Sequence, residues 1–233
     1  MLILSIDSTA KAASAALCED TEPLAHIFLN TGLTHSQTLL VMVDQALKNA
    51  GRTIEDVDLF AVSNGPGSFT GVRIGVALVK GLACSRDALC AGVSTLEALA
   101  RNAEGFSGIY CPVMDARNNQ VYNALFKFEN GVMVRIAPDR AISTDELRAE
   151  LETFSDDIML IGDGAKLCMD RFSDMPNVRM VNDTLRLQNA VSVGRAAFYM
   201  HKEGKCVPVQ QLDVNYLRLS QAEREYQKKH GGK

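Results

Sequence analysis

The stretch from Ser63 to Ala83 constrains this chain more than any other. It reads Ser-Asn-Gly-Pro-Gly-Ser-Phe-Thr-Gly-Val-Arg-Ile-Gly-Val-Ala-Leu-Val-Lys-Gly-Leu-Ala. It follows a short apolar run, Asp58 to Val62, with the pattern of a buried strand. Gly65 and Gly67 permit positive φ or close backbone approach, Pro66 has no N–H to offer, and Thr70 is expected to cap the next helix. From Gly71 to Ala83 only Arg73 and Lys80 are charged. Gly71, Gly75 and Gly81 each cost a helix about 1 kcal/mol relative to alanine, a cost borne where backbone must come close to something. A helix apolar nearly all round is buried on more than one side. One side can lie on its own sheet; the other requires a second domain or a second protein.

The glycine loop admits two readings, a phosphate cradle at a helix N-terminus or close packing of backbone on backbone. No Gly-Lys-Ser/Thr ending follows, as a P-loop requires, and Gly65, Gly67 and Gly71 miss the GxGxxG spacing by one residue. Both facts favour packing.

The remaining chain reads as two successive sets of three strands, helix, strand and helix. The first set has strands at Leu2–Ile6, Ala12–Cys18 and Leu24–Leu29, a helix from a Thr34–Gln37 capping box to Asn49, the strand before the glycine loop, its helix, and a strand at Leu89–Val93. A helix opened by a Ser94–Glu97 box closes it. The second set has strands at Ile109–Met114, Val121–Phe128 and Val132–Ile136, a helix from a Ser143–Glu146 box to Phe154, a strand at Ile158–Ile161, and a helix at Lys166–Phe172. A short strand at Val178–Val181 and a helix at Val191–Glu203 end it. This order predicts an α/β chain of two ribonuclease-H-like lobes, the plan of actin-like ATPases. The expected divisions are 1–103, 104–219 and a polar tail, 220–233.

Composition narrows the function. With 233 residues, 47% hydrophobic and 22% charged, the chain suits a soluble globular protein. A net charge of −4 makes it a poor lone binder of nucleic acid. No apolar run reaches transmembrane length, and Met1–Ile6 lacks the form of a signal peptide, so a cytoplasmic address is expected. The six cysteines form no CxxC and are expected to be reduced and mostly buried. His26, His35, His201 and His230 make no HExxH and no i, i+4 pair, so no metal site is expected, and no GxSxG elbow marks a nucleophile. Asp7, ending the first strand, could approach a metal–nucleotide or simply form an Asx turn. Asp115-Ala116-Arg117 is a charged turn or a cleft-lining pair. Gly162-Asp163-Gly164 falls where folds of this plan meet adenosine, or is a plain strand–helix turn. Asp7, Asp115, Gly162 and Gly164 are therefore candidates for a vestigial nucleotide cleft.

GPGSFTGVRIG followed by a small-residue helix resembles the signature of the TsaB (YeaZ) family. Leu4–Thr9, Thr34-His35-Ser36 with Leu39 and Leu40, and Pro112–Arg117 with Val121-Tyr122 also look like that family. Tyr216-Leu217-Arg218 resembles its closing Pro-x-Tyr-Leu-Arg, with Val214 where proline is usual; Thr34 stands where arginine is frequent. The resemblance implies a non-catalytic scaffold subunit for N6-threonylcarbamoyladenosine synthesis in tRNA. It would pair with TsaD through its N-terminal lobe, and TsaE would complete the assembly. ATP and metal are expected on those partners and no cofactor on this chain. TsaC would supply threonylcarbamoyl-adenylate, and TsaD would move the group to adenosine 37, the tRNA reaching this chain only through the complex. Alone, a homodimer is expected. The expected partner-binding residues are His35, Leu39, Val43, Gly71, Arg73, Ile74, Ala77, Leu78, Lys80 and Gly81. A small actin-like ATP-binding kinase and a glycoprotease-like peptidase relative are the alternatives.

Overall fold

The computed structural model describes residues 1–86, 88–129 and 131–218; the expected tail, 220–233, lies outside them. The first strand, β1 (Leu2–Asp7), is buried at all six positions, as a strand covered on both faces must be. It pairs antiparallel with β2 (Ala13–Glu19), which pairs antiparallel with β3 (Glu22–Leu29). After α1 (His35–Asn49), β4 (Leu59–Gly65) joins β1 in parallel. After α2 (Phe69–Ala83), β5 (Leu89–Ser94) joins β4 in parallel. The helix α3 (Thr95–Arg101) leads out of this sheet.

The second sheet repeats the scheme. β6 (Ile109–Asp115), β7 (Gln120–Glu129) and β8 (Val132–Ser143) form antiparallel hairpins; α4 (Thr144–Leu151) precedes β9 (Ile158–Ile161), parallel to β6. α5 (Ala165–Arg171) precedes β10 (Val178–Met180), parallel to β9. Then come α6 (Asp183–Arg186), α7 (Ala190–Lys202) and β11 (Val207–Pro208). The sheet orders are β11-β5-β4-β1-β2-β3 and β10-β9-β6-β7-β8. Two ribonuclease-H-like lobes in succession are the architecture of actin-like ATPases, and the fold is of that type.

The lobes do not divide at residue 104 throughout. α7 returns to the first sheet, where Val193, Ala196 and Ala197 cover Ile3, Leu59, Ala61, Ala91 and Val93, and β11 adds to that sheet's edge beside β5. The reason is burial: α1 and α2 cover one face of the sheet, and its opposite face is equally apolar. Residues 190–214 therefore belong in large part to the N-terminal lobe. α3 is shared between lobes, packing Leu96, Leu99 and Ala100 against Tyr110, Met114 and Phe126 of the second sheet. Ser94 Oγ donates to Asp139 at 2.5 Å across the junction, and Arg135 bridges Asp139 and Glu97.

Several helix ends differ from expectation. α2 is capped by Ser68, whose Oγ accepts from Gly71 N–H at 3.3 Å, so the helix starts at Phe69 and Thr70 lies within it. Thr34 occupies the cap position of α1 but makes no side-chain cap bond. The Ser143–Glu146 box forms in both directions. Ser94 accepts from Glu97 N–H, but the Glu97 carboxylate turns to Arg101 and Arg135 instead. Charge pairing there displaces the reciprocal half of the box.

Candidate functional site: an outward helix beside the interlobe cleft

The glycine loop packs on backbone. Ser68 N–H donates to Thr9 O at 2.7 Å, and Ser8 Oγ donates to Gly71 O at 2.8 Å. A Cβ at Gly71 would overlap the Ser8 carbonyl, and one at Gly75 would lie 2.6 Å from Ser8 Oγ. Gly65, at φ +126°, has the Asn215 carbonyl where its Cβ would be. The α2 entry is thus clamped between the β1–β2 turn and a C-terminal strap, residues 213–218. Asn64 holds that strap at both ends of a short ladder, Nδ2 donating to Asp213 O and its own carbonyl accepting from Asn215 N–H. With Ser68 N–H bonded to Thr9 and the space beside Gly65, Gly67, Gly71 and Gly75 filled, the packing reading describes the loop.

A cleft of about 1370 Å³ separates the lobes. One wall is the β1–β2 turn with the starts of α1 and α2; the other is the end of β6, its following turn and Asp163. Of the four residues expected to form a nucleotide cleft, Asp115 lines it, while Asp7, Gly162 and Gly164 do not. Asp7 is fully buried beneath the turn. Its carboxylate accepts from Thr9 N–H at 2.9 Å, Thr9 Oγ1 at 2.8 Å and Ser63 Oγ at 2.5 Å. Burial raises its pKa, and the Ser63 and Thr9 bonds only partly offset this. It is a structural Asx turn, and its oxygens are spoken for; the site does not fit a metal–nucleotide held by Asp7. Gly162 and Gly164 instead let the β9–α5 turn pack on β6, where the Val113 carbonyl blocks any Cβ at Gly162.

Asp163, between those glycines, belongs to the turn that the sequence singles out, and it rather than its flanking glycines lines the cleft. Its side chain is accessible, yet the concave wall around it displaces water and pushes it up to about 6, with the Asp115 charge adding to the shift. Lys11, Arg117 and Arg218 also line the cleft. Among the described residues no group of three or more His, Cys, Asp or Glu side chains is placed to hold a metal ion.

The expected partner residues separate into two sets. Leu39, Val43 and Gly71 are turned into the lobe's own packing, Leu39 and Val43 being 1% and 2% exposed; they support the surface from behind and are removed from it. His35 is half-buried, its Nε2 2.7 Å from Ala10 O. Arg73, Ala77 and Gly81 are exposed, four residues apart on one outward face of α2, with Ile74, Leu78 and Lys80 half-buried beside them. On neighbouring α1 the exposed apolar residues are Leu40 and Val41, at 54% and 65%, with Leu33 at 58% just before the helix. The helical period explains the exchange: Leu39, Met42 and Val43 face inward, and Leu40 and Val41 between them face out. Arg73 has an added engagement. Its Nε donates to Tyr216 OH at 2.6 Å, and its guanidinium lies beside the Tyr216–Phe69 pair, whose rings stack at 4.1 Å.

The geometry defines an actin-like, two-lobed α/β protein whose clearest surface feature is an outward helix of small residues. The family profile described as TsaD, tRNA N6-adenosine threonylcarbamoyltransferase, matches residues 30–198. The chain is 30% identical to the Bacillus subtilis (strain 168) protein described as tRNA threonylcarbamoyladenosine biosynthesis protein TsaB, over 97% of this chain and 98% of that one. It is 32% identical to the Escherichia coli (strain K12) protein of the same description, over 94% and 95%. A solved structure, YeaZ from Pseudomonas aeruginosa, superposes with TM-score 0.79 at 27% identity, covering 93% of this chain and 99% of that one. The chain belongs to the TsaB (YeaZ) family. Among the described residues no helix is long and apolar enough to cross a membrane.

Proposed function

We propose that this chain acts in N6-threonylcarbamoyladenosine synthesis as a non-catalytic subunit that binds and supports TsaD. The role in this synthesis follows from family membership. The observation that carries the pairing is the outward face of α2, where Ala77 and Gly81 are exposed beside the exposed apolar Leu40, Val41 and Leu33. Small residues let a partner helix approach closely, and exposed apolar patches mark interfaces. The bonded, sealed Asp7 supports a role other than phosphoryl chemistry. In this reading ATP and metal sit on partner subunits, TsaE completes the assembly, and tRNA is met only within it, in the cytoplasm. A homodimer of this chain competes for the same face.

The test is Ala77→Arg. Ala77 is exposed, so the variant is expected to fold, as circular dichroism will show. A buried unpaired charge at the contact costs several kcal/mol, about the difference between micromolar and undetectable association. Calorimetric titration with TsaD of the same organism is expected to show no binding, and a reconstituted assay to lose modified tRNA. A folded variant that binds TsaD with unchanged affinity removes this face from the interface.

A further inference from the structure

We infer that Arg73, held in place by the C-terminal strap through Tyr216 and Phe69, is a preorganised receptor for a carboxylate of the partner that docks on α2. The inference rests on the pairing reading above and names the chemistry of its anchor.

Arg73 lies one turn before Ala77 on the same exposed face of α2. Among the described residues no carboxylate pairs with it or with Lys80, and α2 itself carries no acidic residue. Two cations bordering an otherwise uncharged face call for acidic groups on whatever covers it. Among the described residues only Nε of Arg73 is engaged, by Tyr216 OH at 2.6 Å. The terminal nitrogens, which form the fork that grips a carboxylate in two parallel bonds, remain for a partner.

The strap removes the cost of holding that fork still. Phe69 and Tyr216 stack with planes 7° apart, and the guanidinium carbon lies 5.4 Å and 5.6 Å from the two ring centres. A free arginine loses side-chain entropy when it docks; one already held against the aromatic pair by a hydrogen bond has lost much of it on folding. Tyr216 reaches this position because Asn64 holds Asp213 and Asn215, and Arg218 Nη1 donates to Ala116 O of the C-terminal lobe at 3.2 Å. Tyr216 is therefore a positioning residue, and Arg73 is the group that touches the partner. An arginine and two aromatic residues are also the composition at which interface energy concentrates.

The experiment is a double-mutant cycle on the full-length chain, read as affinity for TsaD of the same organism, with circular dichroism and melting on each variant. Arg73→Ala is expected to weaken binding about 10- to 100-fold. Arg73→Lys, which keeps the charge and loses the fork, should recover little of it. Tyr216→Ala is expected to weaken binding about tenfold, and Tyr216→Phe, which keeps the stack, by less. The Arg73→Ala, Tyr216→Ala double variant should bind as Arg73→Ala alone, because Tyr216 acts through Arg73. Additive losses overturn the positioning role, and an Arg73→Ala variant within twofold of the parent overturns the receptor. If Ala77→Arg abolishes binding while Arg73→Ala does not change it, this inference fails and the pairing stands; if neither changes it, the pairing itself fails. Should Tyr216→Ala not fold, Tyr216→Phe and Arg73→Lys carry the comparison.

Discussion

Two aspartates in similar local sequence carry opposite consequences. Asp7 follows an apolar strand and precedes a Ser-Thr turn, and its oxygens are consumed by that turn and by Ser63. Asp163 also follows an apolar strand, yet its carboxyl opens on the cleft and is pushed up to about 6, above the ordinary 3.8. A carboxyl raised in the fold binds its proton more tightly there than in the unfolded chain. Its contribution to stability is complete below about pH 4 and is lost as pH climbs through about 6. Asp163→Asn, which cannot ionise, is therefore expected to melt at the parent's temperature near pH 4 and above it at pH 7 to 8. Calorimetric melts across that range check the sign; equal melting temperatures at pH 8 would show that the cleft water screens the charge fully.

At the scale of elements, α2 shows that glycines in one helix serve different ends. Gly71 and Gly75 face the β1–β2 turn with no room for a methyl group, whereas Gly81 faces open space. Gly71→Ala is expected to destabilise by about 1–3 kcal/mol or more, since turn and helix must separate to admit the carbon. Gly81→Ala is expected to stabilise by about 1 kcal/mol, the intrinsic helix preference alone. Urea denaturation of both variants measures the contrast. A Gly81 with no folding role suits a position kept small for a close-approaching helix, so Gly81→Ala should gain stability while weakening TsaD binding.

Across the whole molecule, the lobes are interleaved by α3, α7, β11 and the strap. The first sheet carries apolar residues on both faces, and α7 supplies the cover for one of them. A fragment ending at residue 103 is accordingly expected to bind hydrophobic dyes and to melt without a cooperative transition, while the full chain unfolds cooperatively. A sharp, cooperative melt of the fragment would show that α7 is dispensable to the N-terminal lobe.

The order of elements was legible because it rests on local physics. Uninterrupted apolar runs mark β1 and β9, the Ser143–Glu146 box marks α4, and the repeated three-strand, helix, strand, helix order already implies two similar sheets. The importance of the glycine stretch was legible too, since glycine in a helix is costly unless close approach is required. What stayed hidden depends on residues distant in sequence. Nothing near Asp7 tells that Ser63 completes its shell, and nothing near Arg73 tells that Tyr216 lies on it. The helical period gives an apolar stripe on α1 but not its bearing, so Leu39 and Val43 were expected outside where Leu40 and Val41 are. Only packing against the sheet fixes that rotation. Likewise α7 follows the second set of elements in sequence and covers the first sheet in space, because the open apolar face that draws it there exists only once the sheet has formed.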